Sequence, residues 1–216
     1  MIRRLTTPRH TAGRHTPRLC LQGLLLAAVL TAGACAPRQS RFFVADHRAD
    51  GSAERYFEDF PETWFCHDAH RHVDIVARRE VHPDRAEPGP TIQVLHIRRI
   101  WAAVPGQTYA EQSMINATVS YMITGPNGGA TYDGGGFVTF RQSRDGEEIV
   151  GRLESSALDL RRRIGEGADV FERVAVTGEF VAARNKREVV RVLNEMKRLF
   201  GPLPRYQPPP VSPHLR

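Results

Sequence analysis

The chain has 216 residues, enough for one sizeable domain with extensions, and its 41% hydrophobic and 25% charged residues are those of a globular protein. A formal net charge of +6 resembles the footprint of a nucleic-acid binder, but Arg3, Arg4, Arg9, Arg14 and Arg18 all lie in the first 34 residues, which hold no Asp or Glu. Without them 25 basic residues face 24 acidic ones, far from the excess that a phosphate backbone demands, so nucleic acid is excluded as a partner.

That N-terminal segment has the order of a secretory signal. A basic stretch runs to Arg18, an apolar stretch follows from Leu19 to Ala34 with Gln22 inside it, and Ala32-Gly33-Ala34 closes it with small residues. A membrane span takes about 20 apolar residues. This run is shorter and lacks an aromatic or basic flank, so residues 1–34 read as a cleaved signal peptide.

Ala32-Gly33-Ala34-Cys35 resembles the lipobox of bacterial membrane lipoproteins, with Ala32 where that class usually has Leu. The resemblance covers the leader and Cys35 only. It implies that Cys35 carries a thioether-linked diacylglycerol and an N-acyl chain of the palmitate kind, a combination that anchors stably where one chain is marginal. It also implies export to the periplasmic side of a membrane. Ala36 is not the Asp that often retains such proteins at the inner membrane, which points to the outer membrane. The same residues fit an A-x-A site for ordinary secretion, cut at the same bond, and then the protein is soluble in the periplasm or secreted with a free Cys35 thiol. Cys20 leaves with the leader. Cys66 has no intramolecular partner if Cys35 is acylated; if it is not, a Cys35–Cys66 disulfide is open to it.

Residues 35–52 read as a tether leading to a first short strand around Phe42-Phe43-Val44. The main domain is expected over 53–201. It opens with the aromatic stretch Tyr56, Phe57, Phe60, Trp64 and Phe65, which reads as core or domain edge. Val73 to Val81 reads as a strand, the Pro-rich 82–90 as a loop, and Thr91 to Trp101 as a β-branched strand. Ile115, Ala117, Val119, Tyr121 and Ile123 alternate with polar residues and define the clearest strand and its core face. A turn is expected at 125–129, a continuing strand through Tyr132 and Phe137–Phe140, and a hairpin at Asp145-Gly146 with Ile149 to Leu153 returning. Gly134-Gly135-Gly136 reads as part of flexible hairpin loops. Residues 155–169 read as a polar connection, one helical turn or an edge strand, before a strand at Val170–Val181. The "VTGEF" at 177 and the "IVGRL" at 149 each centre on a glycine; facing each other, Gly151 and Gly178 would admit a close backbone or a bulky ring.

The last element is a helix over 186–200. Asn185 is its N-cap, with Glu188 close to a capping box, and Gly201-Pro202 ends it. Val189, Val192, Leu193, Met196, Leu199 and Phe200 form one apolar stripe, fit to cover a sheet, while Arg187, Arg191, Lys197 and Arg198 take the other face. The Pro-rich tail, 202–216, reads as extended and disordered, or as a strap for an envelope protein. The fold class is mainly β: an antiparallel β-sandwich or a curved up-and-down sheet, closed by one C-terminal amphipathic helix.

Catalytic signatures are absent. There is no G-x-S-x-G elbow, and "GPNGGATYDGGG" lacks the G-K-[ST] ending of a phosphate cradle. Asn116-Ala117-Thr118 matches a glycosylation sequon but falls on a predicted strand. One constellation carries chemistry: "CHDAHRHVD", Cys66 to Asp74. In an extended strand Cys66, Asp68, His70, His72 and Asp74 share a face, and His70 with His72 would grip Zn²⁺ or Cu²⁺ with Cys66 or Asp68 as a further ligand. His82 or His96 would have to complete the set. The primary reading is a lipid-anchored, non-catalytic binding, scaffold or assembly module of the cell envelope. The alternative is a periplasmic metal-binding protein, and a third reading is an enzyme whose groups only the fold assembles.

Overall fold

The computed structural model describes residues 39–82, 89–101, 115–165 and 171–203; the signal segment, Cys35, most of the 82–90 loop and the tail beyond Leu203 lie outside them. Nine strands precede one helix: β1 (Ser40–His47), β2 (Ala53–Phe60), β3 (Glu62–His67), β4 (Val73–Val81), β5 (Thr91–Arg99), β6 (Ala117–Gly125), β7 (Gly128–Gln142), β8 (Glu148–Gly165), β9 (Arg173–Arg184) and α1 (Lys186–Phe200).

The strands form a single sheet in the order β2-β1-β9-β3-β4-β5-β6-β7-β8, and β9 pairs again with β8. One edge of β9 therefore binds β8. The other binds β1 along Val174–Glu179 and then β3, in parallel, at Ala183 and Arg184. Passing from β9 through β3 to β8 returns to β9, so the sheet closes into a barrel, with the β1–β2 hairpin extending along the same edge of β9 as β3. Of the two expected arrangements, the curved sheet is the one adopted, and its curl is complete. Closure removes most free strand edges.

Alternation decides what goes inside. From β6, Ala117, Val119 and Tyr121 point into the barrel while Met122 points out. The interior is filled by side chains: Phe42 packs edge-on against Phe60 at 5.5 Å and parallel to Phe180 at 6.5 Å, and Tyr121 lies 6.4 Å from Tyr132. The Tyr132 hydroxyl accepts a 2.8 Å hydrogen bond from the backbone N–H of Phe171.

The curl is concentrated in β7 and β8, whose register shifts between Thr131 and Tyr132 and again between Phe137 and Val138. Gly134, Gly135 and Gly136 lie inside β7, bonded to β6 and β8, rather than in a hairpin loop. A side chain at Gly134 would meet the Ala157 carbonyl at 1.9 Å, so the bend needs the bare backbone. Residues 155–165 are the second half of β8. Their strand character was masked because Leu158 alone is fully buried there, while Asp159 and Arg161–Arg163 face water. The ordered fold also begins earlier than 53: β1 alternates buried and exposed residues from Ser40 onward and is paired on both sides.

α1 lies on the outside of the barrel. Val189, Val192, Met196 and Phe200 pack on Cys66, Val76, Val94 and Met122. Each such burial contributes about 1.5–3 kcal/mol, well above the tenths that a residue's helix propensity decides. Asn185 accepts from the Glu188 N–H at 3.2 Å, as expected of an N-cap, but its own N–H bonds the Phe65 carbonyl at 3.0 Å instead of closing a capping box. Gly201, at φ 80°, ends the helix by donating to the Lys197 carbonyl at 2.9 Å. Leu199, expected on the buried stripe, is exposed.

Candidate functional site

The segment singled out by sequence is not one extended strand. β3 stops at His67 and β4 starts at Val73, and the residues between them make a turn with Arg71 in the left-handed region at φ 63°. Asp68 organises it. Its Oδ1 accepts from the N–H groups of His70 and His72 at 2.8 and 2.9 Å, and its Oδ2 lies 3.1 Å from His72 Nδ1 and 2.6 Å from Arg98 Nη2. Burial works against this carboxylate, but those backbone and ring contacts outweigh it and hold Asp68 below its ordinary value.

The turn holds Asp68, His70 and His72 together and leaves Cys66 apart from them. His70 is exposed, its ring centroid 6.0 Å from that of His72. Cys66 is buried in the apolar cluster under α1, and burial, with Asp74 adding to it, pushes its thiol up. Among the described residues no group of three or more His, Cys, Asp or Glu is placed to hold a metal ion. His82 is exposed, 3.6 Å from Glu80, and His96 bonds elsewhere.

What the fold does assemble is a polar strip on the outer face of the barrel, beside α1. Arg98 bridges Asp68 to Asp74, with Nη1 3.5 Å from Asp74 Oδ1. The same Oδ1 lies 2.9 Å from His96 Nε2, and both side chains are buried. His96 stands opposite Ser120 in the β5–β6 register, and Ser120 opposite Asp133 in β6–β7. Five strands thus contribute, counting the end of β3 that leads to Asp68. Because Leu95, Ile97, Val119 and Tyr132 point inward, their neighbours His96, Arg98, Ser120 and Asp133 must point outward. The alternation was readable in the sequence. The cross-strand register that joins these residues was not, and the sequence reading missed Arg98, Ser120 and Asp133.

Asp74, His96 and Ser120 are the residue types of a hydrolytic triad, but the geometry does not make one. Ser120 is 2% exposed, and no hydrogen bond joins it to His96 among the described residues. The Asp74–His96 pair is instead a satisfied buried contact that fixes β4 to β5. At the far end of the strip, burial pushes the Asp133 carboxyl above its ordinary value, offset only in part by the nearby Ser120 and Thr131 hydroxyls and the charges of Arg161 and His96.

No protein-family model matches this chain, nor does any curated protein or solved structure.

Proposed function

We propose that the chain is a lipid-anchored cell-envelope protein, acylated at Cys35 and facing the periplasm from the outer membrane. Its barrel acts as a non-catalytic binding, scaffold or assembly module. The observation that carries this reading is the length of the link. β1 begins at Ser40, five residues after Cys35. A link this short suits a domain that works against a membrane surface.

Two further features support it. The barrel interior is occupied by aromatic and aliphatic side chains, so recognition belongs to the outer surface. Cys66 is buried beneath α1 with its thiol pushed up, a poor partner for a disulfide to Cys35, which favours acylation as the use of Cys35.

Expression of the chain with its own leader, as wild type and as Cys35→Ser, tests the reading by fractionation. Wild type is expected in the membrane fraction and the variant in the soluble periplasmic fraction. Wild-type protein found soluble, or both forms retained in the membrane, contradicts it.

A further inference from the structure

The last turn of α1 crosses β7 and β8 and leaves a cleft of about 180 Å³ at the end of the polar strip. Its walls are Thr131 and Asp133 from β7, Arg161 and Arg162 from β8, and the chain from Phe200 to Leu203. A β-bulge shapes it. Thr131 pairs with Arg162 and Tyr132 with Leu160, so Arg161 is the extra residue, with no partner on β7. Arg162 Nη1 donates to the Phe200 carbonyl at 3.0 Å and pins the helix end over the cleft.

Two polar atoms here lack a hydrogen-bond partner among the described residues: Thr131 Oγ1 and Asp133 Oδ1. Both atoms are buried, and Thr131 is only 4% exposed. A buried unpaired polar atom costs about 1–3 kcal/mol, and native folds keep few of them. They sit two residues apart on one face of β7, so a single small ligand spans both.

The charges narrow the ligand. A cation is opposed by Arg161 and Arg162, and the cleft offers it one carboxylate. An anion is opposed by Asp133. A neutral hydroxyl satisfies both sides at once: it donates to Asp133 Oδ1 while accepting from the Arg161 guanidinium, and Thr131 Oγ1 takes either role. Phe200, Pro202 and Leu203 give the C–H face of a ring an apolar wall.

We propose that this cleft binds one ring of a neutral carbohydrate, held by paired hydroxyls between Asp133, Thr131 and Arg161. The proposal rests on reading the barrel as a binding module and is independent of the anchor.

The test is ligand-observed NMR and thermal shift on the full chain. The probes are glucose, galactose, mannose and N-acetylglucosamine, with glycine, inorganic phosphate and Ca²⁺ as the zwitterionic, anionic and cationic rivals. At least one saccharide is expected to bind and to raise the Tm. Thr131→Val and Asp133→Asn should each weaken that binding about tenfold, the loss of one hydrogen bond. Thr131→Val should leave the ligand-free Tm equal or higher, because it removes an unpaired hydroxyl from a buried site. Saccharides that fail to bind overturn the proposal. So does binding that survives both substitutions, or preferential binding of glycine, phosphate or Ca²⁺. Membrane partition of the wild type is unaffected by any of these results, so failure here is distinct from failure of the anchor.

Discussion

Gly151 stands directly opposite Phe180 in the β8–β9 register, and a Cβ on Gly151 would lie 2.6 Å from the ring's Cζ. Two residues along, Gly178 faces Leu153, and a Cβ there would meet Phe42 Cδ1 at 2.8 Å. The two glycines admit the two stacked rings of the barrel core. Gly151→Ala and Gly178→Ala are each expected to destabilise the domain by about 1–3 kcal/mol through overpacking. Urea unfolding reads this as a lower midpoint at unchanged slope. Wild-type midpoints would mean that the rings, and the Thr139 and Arg41 carbonyls that a Cβ would meet at 2.4 and 2.2 Å, yield without cost.

Asn116 closes the start of β6 against β7. Its side-chain amide donates to the Val138 carbonyl and its oxygen accepts from the Val138 N–H, both at 2.8 Å, and the residue is 1% exposed. Asn116→Ala is expected to cost about 1–3 kcal/mol, because both Val138 backbone groups lose their partner. Urea unfolding reads this as a lower midpoint. A wild-type midpoint would show that the Val138 backbone groups find other partners.

Two carboxyl groups predict opposite pH responses. Asp68 is held below its ordinary value of 3.8, so it contributes stability above that pH, lost as pH falls through its folded-state value. Asp133 is raised above 3.8, so folding is most favoured while it is protonated and is weakened as pH rises through its raised value. At neutral pH Asp68→Asn should lower the Tm and Asp133→Asn should raise it. The same sign for both would contradict the assigned environments.

Tyr132 reports the barrel interior. Burial pushes its phenol up to about 12 from 10.0. The folded state therefore resists its ionisation, and stability falls as pH climbs from 10.0 toward that value. Tyr132→Phe should show a shallower loss of stability over this range, followed by denaturant unfolding at stepped alkaline pH. An unchanged slope would place the phenol in contact with water.

α1 is held by packing more than by its cap. Met196→Ala, which truncates a fully buried side chain over Val94 and Met122, is expected to cost about 2–5 kcal/mol. Asn185→Ala should cost about 1 kcal/mol. Thermal unfolding of the two variants orders them; a larger loss at Asn185 would reverse the account.

Much of this fold was legible because period and turn chemistry agree locally. β4 spans Val73–Val81 and the helix 186–200 as expected, and the alternation of β6 names its inward residues, save Ile115, which precedes the strand and is exposed. Legibility failed where both faces are polar, as along Arg161–Arg163. It failed also where glycines serve a bend rather than a loop, as at Gly134–Gly136. The strip is the sharper case. Asp74 and His96 lie far apart in sequence and meet only through the β4–β5 register, which no local pattern encodes. His70 and His72, two positions apart in sequence, are tied to Asp68 in a turn rather than laid along one face of a strand.

The anchor remains the claim on which location and function turn. Intact and peptide mass spectrometry of the protein recovered from its own envelope tests it most directly. The account predicts a mature chain beginning at Cys35, carrying a thioether-linked diacylglycerol and an N-acyl chain. An unmodified Cys35, or a chain that retains residues 1–34, would contradict it.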